Sequence, residues 1–351
     1  MKLVIRILPI FFLGIGLVLF LQLYAAFREG APNGFNRKIA PAVLSSARRY
    51  IAGSASLYII SLDSAGIKLG VANESGRILF IPYSLSKPDS TLMLLPDSIH
   101  FAWRAAKFIA LDHRMFLQEG ITPHIYEMNG KTFKEMADIA EFSQFDVIAP
   151  YDSGFAYRTV DSIDQQYTIR IKPRNASTIY TNGILTPQQD GYFSCDGMLL
   201  LDKLRHRFVN VYYYRNELTS FNTTFDSVFH GKTIDTVSWA KITLHSIKSE
   251  RKIAFSSPPL KVNKHASIWN GLLFIYSGLR ADNEMGKLAF TSSVIDVYTT
   301  SNFSYLGSFY VPDNDGEGIR DFAVYNDQLV ALRGNQIYVY HINLPVIVGN
   351  K

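Results

Sequence analysis

Aromatic residues recur along this chain at a spacing near 43. Tyr126, Tyr214, Tyr298 and Tyr340 each end a short apolar run, and the intervals between them are 88, 84 and 42 residues. The skipped positions fall on Thr168-Ile169-Arg170-Ile171 and Lys252-Ile253-Ala254-Phe255, and one step before Tyr126 lands on Phe80-Ile81-Pro82. The runs themselves are β-patterned. Leu57–Ile60, Arg77–Ile81, Phe208–Tyr212 and Leu272–Tyr276 are rich in β-branched and aromatic residues, and Gly, Asn, Asp, Ser or Pro bound them. Long helical periodicity is missing; only Ala42–Tyr50 and Phe133–Phe142 read as short helices.

A second regularity accompanies the first. Tyr126, Tyr214 and Tyr298 are each followed seven residues later by an aromatic: Phe133, Phe221 and Tyr305. With a turn of four residues between them, positions i and i+7 face each other across a hairpin, where aromatic pairs are stabilising. A repeat of about 40–45 residues carrying four short strands is the pattern of a propeller blade. The fold class is therefore all-β: a β-propeller of four-stranded antiparallel blades. Seven hairpin positions favour seven blades. The fifth, around residues 225–262, is the weakest, which leaves six as the alternative. A sandwich or barrel accounts poorly for so regular a period. The last unit supplies only three strands, at Arg320–Tyr325, Gln328–Leu332 and Gln336–Tyr340. The missing fourth is expected from the amino-terminal side, between Ile39 and Leu62, because closing the ring removes a free edge.

The pattern elements Ile295-Asp296-Val297-Tyr298, Tyr305-Leu306-Gly307-Ser308-Phe309 and Asp321-Phe322-Ala323-Val324 resemble β-propellers broadly. They resemble most of all the six-bladed TolB-like propellers of exported bacterial proteins, over residues 55–342. No WD dipeptide, kelch glycine pair or quinoprotein tryptophan motif is present. What the resemblance implies is therefore a fold, and a function only by analogy.

Ahead of the repeat, Ile7–Phe27 is an apolar segment behind Lys2 and Arg6, broken only by Pro9, glycines and Gln22. It is long enough to cross a hydrocarbon core of about 30 Å. Residues 1–27 read as a signal anchor, or as a cleaved signal peptide; Tyr24-Ala25-Ala26 is a poor cleavage site, because Tyr24 is not small. Positive charge is nearly balanced across the segment, with Arg28, Arg37 and Lys38 on its far side. The expected placement is single-pass in a bacterial inner membrane with the domain facing the periplasm or exterior; a secreted or periplasmic protein is the alternative. Residues 28–54 read as a basic membrane-proximal linker that contributes the closing strand, 55–345 as the propeller and 346–351 as a tail.

The formal net charge of +5 is concentrated at the amino terminus. Residues 1–50 hold seven of the 35 basic residues and one of the 30 acidic ones, so the remainder is close to neutral. That excludes a nucleic-acid surface, which needs a clustered basic face. One cysteine, Cys195, excludes an intramolecular disulfide; its β-patterned surroundings predict a structural thiol. Sequons at Asn73, Asn175, Asn222 and Asn302 are no more than this composition produces by chance.

No catalytic motif stands out. His100, His113, His124, His206, His230, His245, His265 and His341 form no close ligand pair, and neither a nucleophile elbow nor a phosphate loop occurs. Asp313-Asn314-Asp315-Gly316-Glu317-Gly318 matches the first half of a calcium loop, but position 12 is Val324 instead of a bidentate Glu, which makes it an acidic turn. Asp146, Tyr151, Asp152, Trp239, Trp269, Arg280 and Asp321 are candidates for the mouth of the central channel. The reading carries no catalytic residue, metal ligand or cofactor. It is of a membrane-held binding or scaffold module for a protein or small ligand. The alternatives are a metal-dependent propeller hydrolase or lactonase, and a propeller subunit of a redox system like that of amine dehydrogenases.

Overall fold

The computed structural model describes residues 14–20, 32–74, 76–86, 89–92, 105–129, 137–138, 142–176, 180–247, 252–313 and 316–348. Among them are six four-stranded antiparallel sheets and one two-stranded sheet. Blade 1 holds Leu57–Asp63, Gly66–Val71, Arg77–Ile81 and Asp89–Leu92; blade 2 holds Lys107–Leu111, Arg114–Glu119, His124–Asn129 and Ala137–Asp138. Blade 3 holds Phe145–Tyr151, Gly154–Val160, Tyr167–Pro173 and Tyr180–Asn182; blade 4 holds Gly197–Asp202, Arg207–Tyr212, Glu217–Phe221 and Val228–Lys232. Blade 5 holds Asn263–Trp269, Leu272–Ser277, Ser292–Thr299 and Tyr305–Pro312. Blade 6 is built from Asp321–Tyr325, Gln328–Arg333 and Gln336–Ile342, and Leu44–Ile51 completes it on the outside. The first strands of successive blades touch in a closed cycle, so the chain is a six-bladed β-propeller.

Six of the eight core clusters of the described residues are seams between two neighbouring blades. Val330, Leu332, Ile337 and Val339 of blade 6 pack on Leu57, Ile67 and Leu69 of blade 1. Leu329 and Ala331 of the same strand face blade 5, against Phe274, Ile295 and Phe309. Alternate residues thus serve opposite neighbours, as the two-residue period of a strand requires. Both faces are buried, so central strands read as unbroken apolar runs.

Six blades, where the spacing favours seven, has a physical cause. The connection from Lys232 to Asn263 is almost a blade in length, but forms only the hairpin Leu244–Ile247 with Lys252–Phe255. That hairpin is the weak fifth position. Two further expectations are corrected. Ala42–Tyr50 is not helical; its larger part, with Ile51, is the closing strand, paired from Leu44↔Ile342 to Ile51↔Gln336. Tyr214 does not face Phe221: it lies in the turn before Glu217–Phe221, and Phe208 is the partner of Phe221, with ring centroids 5.4 Å apart. Tyr298 and Tyr305 do pair across their hairpin, at 5.5 Å. Phe133 lies outside the described residues.

Residues 32–40 are not a free linker. Phe35 is buried with Val237, Val262, Leu279 and Ala281 beside blade 5. Arg37, counted above with the basic flank, is buried as well and cannot meet lipid headgroups: its Nε is 2.7 Å from Asp296 Oδ1 and its Nη1 donates to Glu284. Burial alone would lower the Arg37 pKa, but Asp296 and then Glu284 more than reverse this and hold it above the ordinary arginine value. Of the apolar run, residues 14–20 are helical and the rest lies outside the described residues. Among the described residues no helix is long and apolar enough to cross a membrane.

Candidate functional site: the two mouths of the channel

The first strands run in one direction around the channel, which gives the disc two distinct faces. At the entry face these strands begin, and the connections between blades and between second and third strands lie there. At the hairpin face the first strands end and turn tightly into the second strands.

Every one of these turns begins with the same pair of residue types: Leu62-Asp63, Leu111-Asp112, Tyr151-Asp152, Leu201-Asp202, Trp269-Asn270 and Tyr325-Asn326. The sequence reading missed this signal, because blade lengths differ and the pairs are unevenly spaced. Its first cause is turn chemistry. Asp112, Asn270 and Asn326 adopt positive φ of 54°, 47° and 52°, a conformation that Asp and Asn tolerate in tight hairpins. Asp63 instead caps its own turn, accepting from the N–H groups of Ala65 and Gly66.

The apolar members of five of these pairs, all but Tyr151, help enclose a cavity of about 570 Å³ at the hairpin mouth. Leu62, Leu111, Leu201, Ile268, Trp269 and Tyr325 supply its walls, with Ser61 and Ser267 deeper in. Trp269 and Tyr325 lie with ring centroids 4.4 Å apart. Three of the carboxylates at the rim are already engaged. Asp63 Oδ2 is 2.6 Å from Lys68 Nζ, Lys203 bridges to Asp112, and buried Asp202 accepts from Thr300. For Asp63, burial works upward, but Lys68 and the turn N–H groups hold the pKa below the ordinary carboxylate value.

The entry end is narrower in chemistry and tied across blades. Asp321, at the start of blade 6, accepts from the Ile59 N–H of blade 1 at 2.8 Å, and its Oδ1 lies 2.9 Å from His265 Nε2 of blade 5. Burial pushes the Asp321 pKa up, yet His265 and the Ile59 N–H outweigh it, and the net direction is down. In the neighbouring sector Arg158 binds Asp146 and Asp196 at 2.5 and 2.6 Å, donates to the Cys195 and Gly197 carbonyls, and lies under the Tyr167 ring. This joins blade 3 to blade 4. Asp146 and Lys264 occupy bulges in their first strands, which turn them out of the regular ladder.

The sequence candidates therefore divide among four places. Trp269 lines the cavity at the hairpin mouth. Tyr151 and Asp152 line a smaller adjoining pocket of about 220 Å³ that shares Leu201 and Lys203 with it. Asp146 and Asp321 belong to the entry end. Trp239 and Arg280 lie off the channel, on loops beside the docked residues 32–37. Cys195 is buried in the seam between blades 3 and 4, where burial pushes its thiol up to about 11. Of the acidic turn, Asp313 accepts from the Ser293 hydroxyl at 2.7 Å and Val324 is buried in a seam; Asn314 and Asp315 lie outside the described residues. Among the described residues no group of three or more His, Cys, Asp or Glu is arranged to hold a metal ion.

No protein-family model matches the chain, and no curated protein is similar to it in sequence. Solved structures resemble it in fold. A member of the DUF4221 family from Bacteroides vulgatus shares 9% identity over 86% of this chain and 97% of its own, with a TM-score of 0.50. A catalytically inactive virginiamycin B lyase from Staphylococcus aureus, solved with quinupristin, shares 10% identity over 83% of this chain and 82% of its own, with a TM-score of 0.45. At such identity the likeness to the DUF4221 member bears on the fold alone.

Proposed function

We propose that this chain is an extracytoplasmic binding module, held to a membrane by residues 7–27, that takes a small ligand with an apolar ring into the hairpin mouth of its channel. The observation that carries this reading is the cavity. At about 570 Å³ it has the size of a small-molecule site, which is about 300–1,000 Å³, and its walls are apolar and aromatic, with Ser61, Ser267, Asn270 and the charged groups Asp63, Asp112, Asp202 and Lys203 among them. Binding is favoured over catalysis because Asp63, Asp112 and Asp202 at the rim are engaged by their own turn, by lysines and by Thr300. A rigid ring carrying varied loops suits recognition.

A thermal-shift screen of the full chain against aromatic amines, dipeptides and monosaccharides tests this. A ligand that raises the melting temperature in the parent protein but not in Trp269→Ala or Ser267→Trp supports the cavity as its site. A ligand indifferent to both substitutions, or one that is chemically converted, overturns the reading.

A further inference from the structure

The exposed apolar side chains of the propeller are unevenly divided between its faces. Ile121 and Ile163 project from the second-to-third-strand loops of blades 2 and 3, and Trp239 from the connection between blades 4 and 5. Met285, Leu288 and Phe290 project from the second-to-third-strand loop of blade 5. All six belong to the entry face. Ile163 is 92% and Met285 85% exposed, values far beyond what an incidental surface contact leaves. On the hairpin face one large apolar side chain among the described residues, Leu204, is exposed. Scattered single apolar residues need no explanation, but a one-sided collection does.

The amino-terminal segment reaches the propeller at that same face. Asn33 and Gly34 donate to the Asp282 carboxylate, and the Asn33 carbonyl accepts from Thr236. Asp282 lies three residues before Met285, and Thr236 three residues before Trp239. Asn33 lies six positions after Phe27, the end of the apolar run. Fully extended, that stretch reaches about 20 Å, so the entry face cannot stand farther than that from whatever holds the run. The chemistry of the loop around Met285 fits a lipid interface. The Arg280 guanidinium lies 4.4 Å from the Phe290 ring centroid, and Lys287 adjoins Leu288. Trp and Phe with flanking Lys and Arg are the residues that settle at headgroup depth. Within the run, Leu17, Val18 and Leu19 are consecutive on a helix and all more than half exposed, so the propeller does not cover them.

From these observations we infer that the entry face rests on the surface of the lipid bilayer, with Trp239, Met285, Leu288 and Phe290 in the interface. The hairpin mouth and its cavity then open away from the membrane, toward ligand arriving from solution. The inference rests on residues 7–27 being membrane-inserted, and it fixes an orientation that insertion alone leaves free.

The test uses the full-length chain in vesicles of phosphatidylcholine and phosphatidylglycerol, 7:3, with and without nitroxide-labelled lipid. Met285→Cys, Ile163→Cys and Leu204→Cys are each labelled with an environment-sensitive fluorophore; the native Cys195 is buried and stays unlabelled. Positions 285 and 163 are expected to show blue-shifted emission and at least threefold stronger nitroxide quenching than position 204. Equal quenching at all three positions in protein that floats with the vesicles overturns the entry-face contact and leaves the anchor standing. Protein that fails to float overturns the anchor, and this inference with it.

Discussion

Arg37 and Asp296 form a two-pronged ion pair, Nε to Oδ1 at 2.7 Å and Nη2 to Oδ2 at 3.1 Å, between the amino-terminal segment and the third strand of blade 5. Both residues are buried, and Glu284 binds the same guanidinium. Asp296 also accepts from Ser308, whose backbone pairs with Lys38 and Ala40. The segment that follows the apolar run is thus riveted to the disc before it reaches the closing strand. Breaking a buried pair from one side leaves charge without a partner. Arg37→Ala should therefore cost about 3–5 kcal/mol, most of it from the stranded carboxylates. Arg37→Ala combined with Asp296→Asn and Glu284→Gln should recover part of that loss. Chemical denaturation of the single and triple variants measures both, and an additive triple variant would contradict the account.

The closing strand makes a graded truncation informative. Removing residues 1–31 leaves Asn33, Phe35 and Arg37 in place, and such a chain should melt cooperatively near the parent temperature. Removing residues 1–52 takes away Leu44–Ile51 and uncovers the edge of Gln336–Ile342, together with the Val43 contact in the seam between blades 5 and 6. An open edge of that length invites pairing between molecules. Light scattering at equal concentration should show aggregation only in the shorter chain. A soluble monomer without residues 1–52 would mean that the closing strand is dispensable.

Much of the fold was legible because third strands carry aromatic ends. Phe80, Tyr126, Tyr298 and Tyr340 all lie in the third strands of their blades, and so does Thr168–Ile171. Their even spacing is real where blades are joined by short connections. It misled in the stretch from Lys232 to Asn263, where an inserted hairpin imitates a unit of the repeat. The closing strand was legible from a deficit, three strands where four were due, although its own sequence, with Arg48 and Arg49, resembles a helix. The site was less visible. Trp269 could be named, but the six turn pairs that build the hairpin mouth are unequally spaced. Nothing in one dimension tells a channel mouth from an outer loop, so Trp239 and Arg280 stood beside Trp269 with equal weight. Arg37 was misread for the same reason: its two partners lie 247 and 259 residues away.

Tyr298 separates packing from hydrogen bonding. Its ring is fully buried between blades 4 and 5, and its hydroxyl accepts from the Ile234 N–H at 3.1 Å. Tyr298→Ala should cost roughly 3–5 kcal/mol through the cavity that it opens. Tyr298→Phe keeps the ring and strands one N–H, at about 1–3 kcal/mol. Denaturant titration should give that order. Equal losses for the two variants would mean that the ring contributes little beyond its hydroxyl.

Asp321 gives the entry end a pH signature. His265 and the Ile59 N–H hold its folded pKa below the ordinary carboxylate value despite burial. In the unfolded chain the same carboxyl titrates near about 4. Between these values the unfolded state binds the proton and the folded state does not, so stability rises with pH across that window. The contribution of Asp321 is therefore complete above about pH 4 and is lost as pH falls through the folded value. Asp321→Asn retains an acceptor for Ile59 but no charge for His265. At neutral pH it should be less stable than the parent, by about 1–3 kcal/mol. The difference should shrink as the pH is lowered below 4, because the parent then loses the same charge. Melting curves of both proteins from pH 7 to pH 2.5 decide the matter. A gap between them that stays constant over this range would show that the Asp321 carboxylate is not held ionised by blades 1 and 5.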